Sequence, residues 1–448
     1  MTKDSFMNLV TKLILPLFTG SQIVGEEESS SRDLEVAQGT NGTVLLKPHK
    51  SEEYRLILKR SQPFKTNDVS LIRSIVLELV KISEYGIEEE QYIKRLQTTA
   101  IEKAICQAVS EKASKTLLGI TNSVLRWANR TYEGKRLNFG IVINQNETID
   151  NPSENLHYTK VLSQDFFALL TDGKQSCVEF DLNGYLINYK PFERLRSMPT
   201  SCPSDYVNIA KYCNEARIGV ALIDSGDLLI FSNRELKFAY RKGNWSSYCH
   251  EEIIQLLSNK TSHTIKEIRK AIYYTALDCS FSNTGGCLVY LFKDKSEQAL
   301  SHIDINDIIS CEHYEMKKEQ PLLEALKHAK GEQIKDYTYD EFLNREACTK
   351  ANALKSIIRG KKFHELSRKF RAEMLAMDGA TIVDYDGTII AAGAIVKIEA
   401  GSSGGGRLAA TKTLAKYGVA IKISMDGMMQ CFYFDKKTNK SKVLFSVG

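Results

Sequence analysis

Residues 401–407 read Gly-Ser-Ser-Gly-Gly-Gly-Arg and run straight into a stretch of helical spacing, Leu408 to Lys416. Consecutive glycines let backbone N–H groups close on an anion, and the start of a helix adds partial positive charge. Arg407 supplies a planar fork of donors for phosphate oxygens. Gly404, Gly405, Gly406 and Arg407 are therefore candidate phosphate ligands, with Thr411 one turn into the helix and Lys412 as a further cation. The pattern departs from a P-loop, because Arg407-Leu408 stands where a Lys-Ser/Thr pair would hold phosphate and magnesium. A surface loop that binds nothing is the plainer alternative.

A second candidate is acidic. Asp378-Gly379-Ala380 follows a helical stretch ending at Met377 and precedes an apolar run. A carboxylate among such small neighbours is open to a metal ion or a ribose hydroxyl; the bland reading is a helix-to-strand turn that uses glycine for its backbone freedom. Asp384-Tyr385-Asp386-Gly387-Thr388 looks like the nucleophile motif of the haloacid dehalogenase phosphatases. That chemistry needs a parallel α/β sheet after the motif, and too little chain remains for one. An Asp-Gly hairpin turn between two β-rich arms fits better.

These groups need elements to position them. Leu71, Ile72, Ile75, Val76 and Leu79 share one face of a helix that Asn67 or Asp68 can cap, and Ile101, Ile105 and Val109 mark a second helix. Phe139–Ile143, Val178–Tyr189 and Ile218–Tyr240 read as strands of an antiparallel sheet. After a helix carrying Ile265, Ile268 and Ile272, the run Cys287–Phe292 reads as a buried strand. Residues 314–376 are charged and helical in pattern, with Arg368, Lys369 and Arg371 expected outward near its end. Strands follow at Ala380–Val383 and Thr388–Val396, then the glycine loop, a helix, a strand at Val419–Ser424 and a closing hairpin. The hairpins at 178–189, 220–231 and 381–392 echo one another, which shared turn chemistry explains more simply than duplication.

The chain has 448 residues, 43% apolar and 26% charged, which excludes a disordered or fibrous protein and fits two or three domains. A net charge of +5 is too mild for a nucleic-acid-coating surface, so nucleic acid is an unexpected partner. No apolar run is long enough to span a membrane; Leu9–Phe18 is broken by Lys12 and Pro16 and reads as a short buried or amphipathic helix. The 10 cysteines form no C-x-x-C pair, so reduced thiols in the cytoplasm are expected. Cys249-His250 and Cys311-Glu312-His313 lack a second cluster at zinc spacing. Glu88-Glu89-Glu90 reads as a solvated helix surface, and Trp127 and Trp245 as core or interface anchors. Residues 26–40 are polar and expected to be mobile.

Taken in order, Gly286-Cys287-Leu288-Val289 after a helix, Asp378-Gly379-Ala380 with its hairpin through Gly393, and Gly404-Gly405-Gly406-Arg407-Leu408-Ala409-Ala410 followed by Gly418–Ile421 and Ser424-Met425-Asp426-Gly427 resemble the nucleotide-binding domain of the diadenylate cyclases. The resemblance spans residues 264–448 and leaves the rest of the chain without a counterpart. It departs from the family in two ways. The family's R-H-R triplet becomes Gly406-Arg407-Leu408, and the linker before Asp378 is longer, with an added helical stretch near 314–360.

The resemblance implies a mixed α/β fold whose C-terminal domain, 261–448, has a central mixed sheet flanked by helices. An α+β region at 41–260 (helical layer plus antiparallel meander) and a partly flexible segment at 1–40 would precede it. It implies that two ATP molecules, held in facing domains of an oligomer, condense to cyclic di-AMP with release of pyrophosphate. Asp378 with Mg²⁺ or Mn²⁺ would activate the ribose hydroxyl, and Arg407 with the backbone of Gly404 to Gly406 would cradle phosphate. Gly379, Ala380, Thr411 and Ser424 would line the nucleotide, and Asp426 is a second metal or ribose candidate. A catalytically degenerate sensor of ATP or a cyclic dinucleotide is the alternative.

Overall fold

Continuous apolar runs bounded by Asp-x-x-Gly turns become strands buried on both faces, and the helical stretches cover them. A computed structural model describes residues 3–29, 35–47, 54–84, 90–150, 154–192, 199–260, 265–309, 350–398 and 405–448. The chain forms two compact units, Met1–His250 with Val447–Gly448, and Glu251–Ser446. Both are mixed α/β.

The N-terminal unit begins with helix α1 (Lys3–Leu9), which continues as a π-helical turn and buries Phe6, Val10 and Ile14. Strands β1 (Gln22–Glu28), β2 (Glu35–Gln38), β3 (Val44–Lys47) and β4 (Tyr54–Lys59) form an antiparallel sheet in the order β1-β4-β3-β2. Two stretches of the 26–40 segment expected to be mobile are thus strands. Cross-strand ion pairs neutralise their charge: Arg55 on β4 reaches Glu27 at 2.6 Å and Glu35 at 3.3 Å. Residues 30–34 lie outside the described part.

Helices α2 (Thr66–Glu84), α3 (Glu90–Val109) and α4 (Ser114–Leu125) follow. The expected α2 face, Leu71 to Leu79, is buried. Asp68 accepts from the Lys65 backbone N–H at 3.0 Å and pairs with Arg60 at 2.6 Å, fixing the start of α2. Glu88 and Glu89 are outside the described residues.

A two-residue hairpin, β5 (Thr131–Tyr132) and β6 (Lys135–Arg136), leads into a seven-stranded sheet. Its strands are β7 (Phe139–Asn144), β8 (Ser176–Phe180), β9 (Leu186–Pro191), β10 (Arg217–Leu222), β11 (Leu228–Ser232), β12 (Glu235–Arg241) and β13 (Asn244–Ser247). The order is β13-β12-β11-β10-β7-β8-β9. The expected all-antiparallel sheet is in fact mixed, because β7 and β8 run parallel. The crossover between them carries helix α5 (Tyr158–Val161), and helix α6 (Val207–Tyr212) joins β9 to β10. Trp127 is buried edge-on against Phe139, as a core anchor.

Helix α7 (His250–Lys260) starts at the boundary, and His250 is buried with its ring bonded to the Leu236 carbonyl at 2.8 Å. The C-terminal unit then runs α8 (Lys266–Phe281), β14 (Gly286–Leu291), α9 (Ser296–Leu300), α10 (Lys350–Ile358), α11 (Arg368–Leu375), β15 (Ala380–Val383), β16 (Ile389–Ala394), α12 (Gly406–Leu414), β17 (Gly418–Ile423), β18 (Met429–Asp435) and β19 (Lys440–Val447). Its sheet order is β16-β15-β14-β17-β18-β19, with β14 and β15 parallel. Most of the 314–360 insertion and the Cys311-Glu312-His313 triplet lie outside the described residues.

Two arginines expected to face solvent do not. Arg368 grips the buried Asp278 of α8 with two bonds of 2.6 and 2.7 Å, while Arg371 is buried and donates to the carbonyls of Leu366 and His364 at 2.9 and 3.2 Å. Only Lys369 of the three projects outward. Helical spacing misplaces them because the helix begins at Arg368, so its first turn wraps the preceding loop's carbonyls.

The echo between hairpins is larger than turn chemistry. Read from β7 and from β14, both sheets place their first six strands in the order third, second, first, fourth, fifth, sixth, with the first two parallel, and the N-terminal sheet adds β13 as a seventh at the edge.

Candidate functional site

Parallel pairing sets Cys287 on β14 opposite Ala380 on β15, and antiparallel pairing sets Gly286 opposite Ile423 on β17. The starts of β14 and β15 and the end of β17 therefore meet at one end of the sheet; α12 begins there with Gly406 and Arg407 and runs toward the opposite end, where β17 starts at Gly418 beside Leu291. At the first of these ends lies a cleft of about 190 Å³ lined by Asp378, Gly379, Arg407, Cys287 and Gly406 among others. The acid and the arginine singled out in the sequence, 29 positions apart, thus share one cavity.

Each is free to meet a ligand. Neither the Asp378 carboxylate nor the Arg407 guanidinium has a side-chain hydrogen bond or ion pair among the described residues. Arg407 lies against Gly285: a methyl group there would come within 2.5 Å of one guanidinium nitrogen. Gly379 holds φ +110° with the backbone of Gly393 and Ala394 pressed against it, so the acid sits on a turn that a side chain would disrupt. Gly405, at φ +82°, and Gly406 have open space around them at the start of α12. The opposite wall is apolar, and its Ile395 and Ile398 are exposed.

Other expected residues are placed differently. Thr411 is fully buried, its hydroxyl donating to the Arg407 carbonyl at 2.6 Å and lying 3.3 Å from the Cys287 sulfur. It therefore braces the cleft from beneath and does not face a ligand, a correction to its sequence reading. Lys412 is exposed and does not line the cleft. Ser424 follows the residue paired with Gly286, and Asp426 occupies the β17–β18 turn, accepting from Met428 N–H at 3.3 Å. Both lie outside the cleft lining. Ala380 lines the cleft as expected, whereas Gly404 is outside the described residues.

Burial pushes the Cys287 thiol up to about 11, against the opposing pull of Thr411 and the Arg407 charge, so it stays protonated and is no thiolate nucleophile. Asp384 and Asp386 form the β15–β16 turn. Burial holds Asp384 above the usual carboxylate range, and Ser296 donates to it at 2.9 Å. Asp386 pairs with Lys362 at 2.5 Å and is lowered by Lys362 and Thr388 despite partial burial. Both carboxylates are spent on the turn, as hairpin chemistry requires.

Sequence reasoning missed Gly285, Cys287, Ile395 and Ile398 as site residues. The Gly285-Gly286 doublet before an apolar strand was the available signal; the isoleucines carried none. Among the described residues no three His, Cys, Asp or Glu side chains cluster for a metal. A divalent ion here would be held by Asp378 together with a ligand's own phosphate oxygens, the way magnesium is commonly bound.

No family model, curated protein or solved structure matches the chain.

Proposed function

We propose that the C-terminal unit binds a nucleoside triphosphate in the Asp378–Arg407 cleft and acts as a diadenylate-cyclase-type nucleotidyltransferase. The convergence of Asp378 and Arg407 on one cavity carries this reading. The Arg407 guanidinium takes phosphate oxygens at the start of α12, where Gly405 and Gly406 leave room for the ligand to approach the backbone. Ile395 and Ile398 offer an apolar face to a ring. Asp378 would hold a divalent ion, which when bound would supply Lewis-acid stabilisation of the phosphoryl centre. Asp378 positions the attacking ribose hydroxyl and receives its proton as the new phosphodiester forms and pyrophosphate leaves. Two ATP molecules must face each other for the ring to close, so a second copy of this unit is the implied partner. The 8 described cysteines form no disulfide with one another, which suits a reducing compartment such as the cytoplasm.

A second reading, a nucleotide or cyclic-dinucleotide sensor, is favoured by Arg407 being the single arginine among the described residues that line the cleft and by Thr411 being committed to structure. Incubation with ATP and Mn²⁺ or Mg²⁺ separates the two. Cyclic or linear dinucleotide supports the enzyme; tight ATP or cyclic di-AMP binding without product supports the sensor. Arg407→Ala should weaken ATP binding at least tenfold, whereas Asp378→Asn should preserve ATP binding in EDTA and stop turnover. Equal loss of binding in both variants would contradict this division.

A further inference from the structure

The two sheets correspond in the register of their central strands. Ile143 on β7 pairs with Phe180 on β8 and Ile218 on β10; Tyr290 on β14 pairs with Val383 on β15 and Val419 on β17. A bulge falls between Glu179 and Phe180 in one and between Ile382 and Val383 in the other, which has a further shift between Ala380 and Ile382. The following turns match in their bonds. Asp181 N–H donates to Tyr185 and Gly184 N–H to Asp181, as Asp384 N–H donates to Thr388 and Gly387 N–H to Asp384. Gly184 and Gly387 have φ of +89° and +88°. The next hairpin repeats this: Ile223 accepts from Gly226 N–H as Ser424 accepts from Gly427 N–H, with φ of +84° and +86° at the glycines.

Counting from these shared positions, Asp378, Gly379 and Ala394 correspond to Gln175, Ser176 and Pro191, and Gly285 to Asn138. All four N-terminal counterparts line one cleft of about 560 Å³. Its chemistry differs. An amide replaces the acid, and α6 and the turn before it contain no arginine. Two carboxylates line the cleft, Glu133 and Asp172, and Asp172 accepts the backbone N–H groups of Lys174 and Gln175 at 2.9 and 2.7 Å. Cationic groups come instead from Lys135 and Arg136 on β6, and exposed rings from Tyr132 and Tyr189. Asn138 Oδ1, buried at the cleft, has no hydrogen-bond partner.

We infer that the N-terminal unit carries a second ligand cleft, the positional counterpart of the Asp378–Arg407 cleft, which binds a ring-bearing phosphate and does not turn it over. Lys135 and Arg136 attract the anion and the tyrosines take the ring. Gln175, in the place of Asp378, can neither bind a divalent ion as a carboxylate does nor take a proton. The choice of ATP as probe rests on the proposed function; the existence of the cleft does not.

Calorimetry on the full chain with ATP in EDTA tests this. Arg407→Ala should leave one equivalent of ATP bound, and adding Lys135→Ala with Arg136→Ala should weaken that equivalent at least tenfold. Tyr189→Ala should weaken it severalfold, and inorganic pyrophosphate should bind it at least tenfold more weakly than ATP. Unchanged melting profiles would show that these surface variants fold. Loss of all ATP binding on Arg407→Ala alone would overturn the second cleft and leave the C-terminal reading standing. So would residual binding indifferent to Lys135 and Arg136. Binding untouched by Arg407→Ala but lost with Lys135 and Arg136 would instead support the second cleft and count against the C-terminal one. Pyrophosphate binding equal to that of ATP would overturn the requirement for a ring.

Discussion

The Arg407 guanidinium lies against Gly285, where the absence of a side chain gives it room. A methyl group at 285 would come within 2.5 Å of its terminal nitrogen and 2.9 Å of its central carbon. Both atoms belong to the far end of a flexible side chain, so the strain relaxes by moving Arg407 while the fold is kept. Gly285→Ala should therefore melt within a few degrees of the parent and bind ATP about 10- to 100-fold more weakly, the worth of one charge-assisted contact at ~1.5–3 kcal/mol. Unchanged affinity by calorimetry would show that ligand binding does not use this position of Arg407.

Gly379 predicts the opposite balance. Its φ of +110° is one that L side chains rarely adopt, and a Cβ there would meet Gly393 backbone at 2.4 Å and the Ala394 carbonyl at 2.6 Å. Backbone cannot swing aside as a guanidinium can. Gly379→Ala should cost about 2–4 kcal/mol of stability in urea unfolding. A loss under ~0.5 kcal/mol would mean that β15 and β16 are not held this closely.

Arg368 and Asp278 join α11 to α8 through two bonds, with the carboxylate almost wholly buried and the arginine partly exposed. Arg368→Met leaves a buried charge without its main partner and should cost about 2–3 kcal/mol, allowing for screening at the arginine. Removing both charges, with Asp278→Leu added, should recover more than half of that loss in the same urea measurement. Additive losses would show that the pair is not coupled.

The elements nearest the site were legible because their signals are local. Apolar runs flanked by Asp-x-x-Gly turns gave β15 its observed bounds, Ala380–Val383, and put a buried strand at Cys287. What sequence could not reveal depends on partners distant in the chain. Arg371 looks solvent-facing until the carbonyls of the preceding loop are placed around it. Thr411 looks like a ligand group until Cys287 arrives beneath it from another strand. The likeness of the two sheets lies in register and bulges, with Ile143 standing where Tyr290 stands and Gln175 where Asp378 stands, so residue identity conceals it. In β1 and β2, charges that read as disorder are paired across strands, as Glu27 and Glu35 are with Arg55.

Glu102, on α3, is buried near Trp245 of β13, Tyr240 of β12 and Cys106 one turn along its own helix. Burial raises its carboxyl from 4.5 to about 7, and the Trp245 indole offsets only part of that. The folded state thus holds a proton that the unfolded chain releases between these values, so the folded state binds more protons and stability falls as pH rises through the window. Below pH 4.5 both states are protonated and the penalty is absent; above about pH 7 it is fully present, on the order of 3 kcal/mol. Glu102→Gln keeps the shape and removes the charge. It should leave stability near pH 4.5 little changed, raise it at pH 8, and flatten this part of the pH dependence in urea titrations. A variant whose stability tracks the parent at both pH values would show that Glu102 carries its charge in the folded protein without cost.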